Sequence, residues 1–199
     1  MEHFNYFSKA NILTTFLLFF IFSFIGYLWE TILFIFKKKK FVNRGFLRGP
    51  WLPIYGYGVI FILFFLSRFI KKPLLVFFLI IVLCGTLEYI TSFLLERLFH
   101  KKWWDYSECF LNLNGRICFS GLLFFGIGGM LALYFIVPYL IIKLANFDNT
   151  LKRLLVIIIF ICFIYDNYNS LKKPNKGKNI SVNVKEWSFQ LISFMLKLL

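Results

Sequence analysis

Charged residues are scarce in this chain of 199 residues. Asp, Glu, Lys and Arg together make up 16% of it, whereas soluble domains contain about 25%. Hydrophobic residues make up 60%, and the mean hydropathy is +0.75. A soluble fold of this size needs more polar surface than these residues supply. The composition therefore predicts an integral membrane protein.

Several catalytic and metal-binding motifs are also missing. The four cysteines form no CxxC pair and the two histidines belong to no HExxH pattern, so we expect neither a disulfide nor a metal site. The only Gly-Lys pair, Gly177-Lys178, has no glycine five residues before it, so the chain lacks the GxxxxGK loop that binds ATP phosphates. We expect no cofactor, and a role other than catalysis is favoured over enzymatic activity.

The formal net charge of +14 does not predict a nucleic-acid partner. Heavy use of Phe, Ile, Lys and Asn is typical of AT-rich coding, and the basic residues cluster at the ends of apolar runs, where they set topology. The first loop, the third loop and the tail hold 16 Lys and Arg, against 7 on the other side. The richer side is expected to be cytoplasmic. This predicts a multi-pass cell-membrane protein with its N-terminus outside and its C-terminus in the cytoplasm.

Five apolar runs lie at about 12–36, 51–70, 74–95, 117–142 and 151–168. A helix needs about 20 apolar residues to cross about 30 Å of bilayer. The sequence thus predicts an all-α helical bundle with about five spans, in a membrane domain at 1–171. The uninterrupted apolar core of the last run, LLVIIIFICFIY, has only twelve residues, a length equally typical of a buried or re-entrant segment. Residues 172–199 are predicted to form a basic linker and a short tail at the membrane interface.

Glycines recur with the same spacing in the two halves of the chain. In each half, three glycines step by eleven residues and then by two, and a helix with a glycine and an acid precedes them. The pattern predicts a tandem duplication of a two-helix hairpin, whose copies would be parallel. Chance recurrence of common membrane glycines is the alternative. The triplets are Gly45, Gly56 and Gly58, and Gly115, Gly126 and Gly128.

Acids are placed at similar depth in the two halves. Glu30 and Glu88 each lie about 10–15 Å of helix before cytoplasmic basic residues, and Asp166 repeats the pattern in the last span. A carboxylate facing lipid costs at least about 2.5–3.5 kcal/mol, so we expect these acids to ring the bundle interior. Arg48 and Arg116 are the predicted partners, because guanidinium grips carboxylate or phosphate through two hydrogen bonds. The arrangement predicts a pocket for an anionic or zwitterionic head group or a polar solute, with a purely structural ion-pair lock as the alternative.

The stretch RGPWLPIYG, at 48–56, combines glycines with prolines that remove backbone donors. It predicts a loop that re-enters the membrane before the second helix starts, with Pro53 in that helix's first turn. Trp51 and Tyr55 suit the membrane interface, and Tyr55 is a candidate binding residue. An ordinary interfacial turn is the alternative.

A second unusual stretch, KKWWDYSECFLNLNGRICFSG, begins at Lys101. Its aromatic and basic residues predict an interfacial helix, followed by a polar turn near Asn114. The stretch would dock a cytoplasmic partner or close a site from below. Asp105 and Asn114 are candidate binding residues, and Asp105 would be the general base if the protein has chemistry. An anchored loop is the alternative.

Both stretches resemble a known family. NRGFLRGPWLPIYGYG, LEYITSFLLERLFHKKWWDYS and LNLNGRICFSGLLFFGIGG are similar to the bacterial putative ABC transporter permeases, the CmpB-like or type IV group. The resemblance covers about residues 16–142, and the last span is also similar, with Asp166 and Ser170 at matching places.

The resemblance implies a membrane subunit of an ATP-driven transporter, whose ATPase would be a separate cytoplasmic protein. Two other functions stay open. One is an integral membrane enzyme or lipid-headgroup binder that uses the same acids and arginines, and the other is a membrane scaffold or regulator. The lipid bilayer is the one partner that all three share.

Overall fold

The structure, a computed structural model, describes residues 11–38, 43 and 45–174. Within these ranges the chain forms helices joined by loops, with one isolated bridge between Leu113 and Ile117 and no strand. The predicted all-α class is confirmed. The predicted tail lies, from residue 175 onward, outside the described residues. The α-helices are α1 (Ile12–Lys38), α2 (Pro53–Phe61), α3 (Pro73–Phe99), α4 (Phe119–Leu131), α5 (Val137–Ala145) and α6 (Asn149–Lys172).

Four continuous helices are long and apolar enough to cross a membrane, and a fifth apolar helix is shorter. The short one is Pro53–Phe69, because residues 45–52 form a loop and the helix begins only after Leu52. The last apolar run instead lies in α6, a helix of 24 residues that is long and apolar enough to cross a membrane. The four long helices are Ile12–Phe36, Pro73–Phe99, Phe119–Ala145 and Asn149–Lys172.

Local sequence explains where these helices begin. The Asn11 side chain accepts the backbone N–H of Thr14 at 2.9 Å, and that of Asp148 accepts the N–H of Leu151 at 2.9 Å, which satisfies donors that a helix start leaves unpaired. Pro53 and Pro73 open α2 and α3, where a missing N–H costs nothing. The prediction of Pro53 in the first turn of its helix is confirmed.

The helices pack as two hairpins, α1 with α2 and α3 with α4, and α6 lies against α1. One apolar core joins α1 and α2 to the end of the second hairpin, through residues such as Leu18, Val59 and Val137. Another joins the segment that directly follows α2 to α3, through Ile62 and Ile80. These cores lie in the half of the bundle that holds the start of α1, which leaves the opposite half for polar groups.

Each return helix contains one five-residue π-helical segment. The segments are Ile62–Leu66, after α2, and Ala132–Ile136, between α4 and α5. The first begins six residues after Gly56, and the second six residues after Gly126. The two halves therefore share a backbone irregularity at the same distance from matching glycines, which supports the predicted duplication.

Candidate functional site

A cavity of about 270 Å³ opens between the two hairpins, beside the loops that join their helices. Both repeated acids, Glu30 and Glu88, line it. Tyr55 also lines it, so three of the seven predicted site residues meet here. The rest of the wall is aliphatic, aromatic and, in smaller part, polar, and it includes Leu47, Leu52, Leu87, Leu95, Phe46, Tyr57, Thr91, Trp103, Trp104, Tyr106 and Asn167.

Tyr55 brings the first acid into the site. Its hydroxyl donates to Glu30 Oε1 at 2.9 Å. The tyrosine ring can reach this position because Gly26, one turn before Glu30, has no side chain. A Cβ at Gly26 would lie 2.4 Å from two atoms of that ring. A glycine in α1 thus creates the space in which Tyr55 holds a half-buried carboxylate.

Tyr106 performs the same task for the second acid. Glu88 is 5% exposed, and its Oε1 accepts the Tyr106 hydroxyl at 3.2 Å. Burial, and then the negative charges of Glu88 and Glu30, raise the pKa of Tyr106 well above its usual value. Tyr106 therefore stays protonated and donates. The other carboxylate oxygen of Glu88 is buried and has no hydrogen-bond partner among the described residues.

Two indole rings form the floor of the cavity. The Trp103 ring packs against Phe46, with 5.5 Å between ring centroids, and against Phe99 at 5.7 Å. The Trp104 Nε1–H donates to the Arg116 carbonyl at 3.0 Å. The first of these contacts ties the loop of one hairpin to that of the other.

The re-entrant loop predicted between α1 and α2 does fold into the bundle. Leu52 N–H donates to the carbonyl of Ser23 at 2.9 Å. Ser23 lies 15 residues before the end of α1, or about 22 Å at 1.5 Å per residue. Leu47, 2% exposed, packs against Phe20 and Phe163.

Asp166, the third predicted acid, holds this loop and does not line the cavity. Its carboxylate accepts the backbone N–H of Arg48 at 3.2 Å and of Gly49 at 2.9 Å, and the Trp51 indole N–H at 3.1 Å. The backbone donors of the loop thus satisfy this acid. Two of the three predicted acids therefore line the cavity, and the third binds the loop beside it.

Neither arginine makes its predicted pair. The Arg48 guanidinium donates to the carbonyl of Lys173 at 2.8 Å, and Arg116 forms an ion pair with Glu96 at 2.6 Å. Arg116 also lies over the rings of Tyr89 and Phe93, 5.5 and 5.4 Å from their centroids. The physical reason is that tyrosine hydroxyls already donate to Glu30 and Glu88. The two arginines bind other acceptors, the Lys173 carbonyl and the Glu96 carboxylate.

The loop from His100 to Cys118 is not helical, so the predicted interfacial helix is wrong. α3 ends at His100, whose left-handed φ of 52° stops the helix. Local side chains then bind the backbone in its place, which competes with helix formation. Asn112 Nδ2 donates to the carbonyls of Ser107 and Cys109, both at 3.0 Å. The predicted polar turn is confirmed, because Asn114 and Gly115 both have positive φ, 56° and 67°.

Asp105 and Asn114 stabilise this loop and lie outside the lining of the cavity. Asp105 Oδ1 accepts the backbone N–H and the hydroxyl of Ser107, at 3.0 and 2.5 Å. Burial raises the pKa of Asp105, but these two hydrogen bonds and nearby Lys102 outweigh it and hold that pKa below its usual value. Asn114 Nδ2 donates to the Tyr89 hydroxyl at 2.7 Å.

The seven predicted residues therefore form two groups. Glu30, Tyr55 and Glu88 line the cavity, while the rest (Arg48, Asp105, Asn114, Arg116) organise the loops around it. Sequence reasoning did not select Tyr106, Trp103 or Trp104 as site residues. The signal that could have found them is their run of aromatic and polar side chains directly after the helix that carries Glu88.

The sequence was compared with known protein families. The family model described as "Putative ABC-transporter type IV" matches residues 17–171. The chain belongs to this family. No curated protein and no solved structure matches it. The family name indicates a component of an ABC transporter. The matched range contains most of α1, all of α2 to α5, all of α6 but its last residue, and every residue that lines the cavity.

Proposed function

We propose that this protein is the membrane-spanning subunit of a transporter in the cell membrane, and that the cavity between Glu30 and Glu88 is its ligand site. The observation that carries the proposal is the pairing of these acids in one cavity between the two repeated hairpins. Ligand sites at the interface of two repeats are common in transporters. A separate cytoplasmic ATPase would supply the energy, since this chain has no GxxxxGK loop.

The proposal includes the orientation that the basic residues predict. The cavity, its loops and the C-terminus would face the cytoplasm, and the N-terminus would face outward. Reporter fusions at Lys102 and at Lys71 test this, because these residues lie at opposite ends of α3. A cytoplasmic reporter should be active at Lys102 and inactive at Lys71. The reverse pattern would overturn both the orientation and the cytoplasmic position of the cavity.

Copurification tests the transporter assignment. The tagged full-length protein, purified in mild detergent from the cells that encode it, should retain an ATPase that carries a GxxxxGK loop. Glu88→Gln should keep that ATPase but fail to restore the growth of a deletion strain, because the site loses its buried carboxyl group. Glu108→Gln is the matched control, since Glu108 is exposed in the loop. It should behave like the parent.

The alternative is a membrane enzyme or a lipid-headgroup binder that uses the same cavity without an ATPase. If no such ATPase copurifies with the parent protein, the transporter assignment fails. Growth that depends on Glu88 without an ATPase would then favour the alternative. If Glu88→Gln restores growth as well as the parent does, the cavity is not the functional site in either version.

A further inference from the structure

The acid-lined cavity has an apolar neighbour. A second cavity, of about 220 Å³, lies between α1, α2 and α4. Four residues line both cavities and form their common boundary, namely Ile54, Tyr55, Leu87 and Phe125. The second cavity contains no acid or base among its described lining residues. The two cavities therefore adjoin, and of the two only the first has acids among its described lining residues.

The apolar cavity extends to the surface that faces lipid. Ile25, Leu131 and Ile136 line it and are 41%, 49% and 37% exposed. On the inner side, the Trp29 ring stacks on Phe124 across the two hairpins, with 5.3 Å between centroids and 17° between planes. An alkyl chain could therefore enter sideways from the bilayer and lie along apolar and aromatic walls.

Two features of the acid-lined cavity suit an ammonium group, namely its carboxyl groups and its aromatic rings. Glu88 lines a cavity in which no described residue is basic, and one of its carboxylate oxygens is buried without a hydrogen-bond partner among the described residues. Such an oxygen costs free energy unless a donor or a positive charge reaches it. Tyrosine and tryptophan side chains line the same cavity, and their rings attract alkylammonium groups through cation–π interaction. Among the described residues no group of three metal-ligating side chains occurs, which favours an organic cation over a metal ion.

We propose that the joined cavities bind a cationic amphiphile, with its ammonium head at Glu88 and its alkyl chain in the apolar cavity. This deepens the proposed function by naming the ligand class of the same site. It also changes the ligand that the sequence predicted. A phosphate would meet carboxylates here, while Arg48 and Arg116 are engaged outside the cavity. Anionic and zwitterionic head groups are therefore disfavoured.

Binding of three probes with the same decyl chain tests the head group. Purified full-length protein in nanodiscs would be titrated with decyltrimethylammonium, decylphosphocholine and decylmaltoside, with tryptophan fluorescence as the signal. The cation should bind about tenfold or more tightly than the other two, as expected for one charge-assisted contact in a buried site. Equal binding of all three would overturn the proposal.

Matched variants separate the site from simple partitioning into lipid. Glu88→Gln should remove the preference for the cation and leave the binding of decylmaltoside unchanged, because glutamine keeps an acceptor for Tyr106 but carries no charge. Glu108→Gln removes the same charge from the exposed loop and should keep the preference. If both variants keep it, the acid-lined cavity does not bind the cation.

Gly128→Leu tests the chain end of the site. Gly128 lines the apolar cavity, and a Cβ added there meets no atom within 4 Å, so leucine fills the cavity without a backbone collision. Affinity of the parent should rise about fourfold per CH₂ from tetramethylammonium toward the decyl probe. The variant should lose about tenfold or more of the decyl affinity and none of the tetramethylammonium affinity. An unchanged dependence on chain length would refute the placement of the tail.

This binding test needs no ATPase, so its failure differs from failure of the transporter proposal. Purified protein that does not distinguish the three head groups refutes the cationic amphiphile even when an ATPase copurifies. Protein that prefers the cation but retains no ATPase keeps the site and loses the transporter assignment.

Discussion

The two hairpins solve one problem with different loops. In both, an acid of the first helix accepts a hydrogen bond from a tyrosine hydroxyl, at 2.9 Å in the first hairpin and 3.2 Å in the second. The first tyrosine, Tyr55, lies on the return helix, whereas Tyr106 lies in the connecting loop. The shared part is therefore the glycine-spaced helix pair. The loops that join the two helices differ between the hairpins.

The loops also differ in what stabilises them. The loop at 45–52 depends on a distant residue, because the α6 residue Asp166 binds its backbone. The loop at 100–118 is stabilised by its own contacts, such as the bridge of Leu113 with Ile117 and the side chain of Asn112, and by hydrogen bonds to α3, the helix directly before it. Because of this difference, α6 is part of the site even though only Asn167 of that helix lines the cavity.

Removal of the Asp166 carboxylate should have the largest effect on this comparison. Asp166→Ala leaves two backbone donors and one indole N–H without their acceptor, at an expected cost of about 2–4 kcal/mol in the free energy of unfolding. Thermal unfolding in detergent should show the loss, and limited proteolysis should cut the loop at 45–52 before the loop at 100–118. Glu108→Ala, in an exposed position, is the control. Equal protection of the first loop in Asp166→Ala would show that α6 does not hold it.

The same glycine substitution should affect the two hairpins differently. A Cβ at Gly56 would lie 2.6 Å from the backbone carbonyl oxygen of Phe19, which cannot move without bending α1. A Cβ at Gly126 meets chiefly the outer ring atoms of Phe77, at 2.5 Å, and that ring can rotate. Gly56→Ala should therefore destabilise by about 2–3 kcal/mol and Gly126→Ala by about 1 kcal/mol.

Melting temperatures of the two glycine variants in one detergent would measure this difference. Gly128→Ala is the control without a collision, because its Cβ meets open space. A larger loss for Gly126→Ala than for Gly56→Ala would contradict the closer approach of the helices in the first hairpin.

Removal of each tyrosine hydroxyl should show which of the two acids depends more on its hydrogen bond for the stability of the fold. Glu88 is buried with one oxygen already unpartnered, so Tyr106→Phe leaves its carboxylate with no hydrogen bond. We expect a loss of about 1–2 kcal/mol. Glu30 is only half-buried, and water can replace the Tyr55 hydroxyl, so Tyr55→Phe should cost about 0.5–1 kcal/mol. Chemical denaturation of both variants measures the ranking, and the reverse order would mean that the first acid is the more deeply desolvated one.

The sequence predicts the helices and the acids well because both follow from single, strong constraints. Twenty-residue apolar runs have one stable form in a bilayer, and a carboxylate at depth must face the interior. The partners of the acids were not predictable in the same way. Arg48 and Tyr55 follow Glu30 by similar distances along the chain, and only the absent side chain of Gly26 decides that the tyrosine fits.

The structure of the loop at 100–118 was predicted wrongly for a different reason. Its aromatic and basic pattern is typical of an interfacial helix, but Asp105, Ser107 and Asn112 form hydrogen bonds with nearby backbone that replace helical ones. Such local competition depends on several weak bonds forming together. No single spacing in the sequence indicates it.

The smallest expected effect concerns how the stability of the loop at 100–118 depends on pH. Asp105 has a pKa below its usual value of 3.8, so its ionised form stabilises the folded loop. That contribution is fully present above the unfolded pKa of about 3.9 and is lost as pH falls through the lower folded value. Because the side chain is 39% exposed, the contribution should be at most about 1 kcal/mol. Asp105→Asn should therefore melt slightly below the parent at neutral pH, and the difference should shrink below about pH 4.

Glu108→Gln, which removes an exposed acid, should show no such convergence. A gap between parent and Asp105→Asn that stays constant down to about pH 3 would mean that the loop is held without the Asp105 charge, and that the two loops differ less in this respect than their hydrogen bonds indicate.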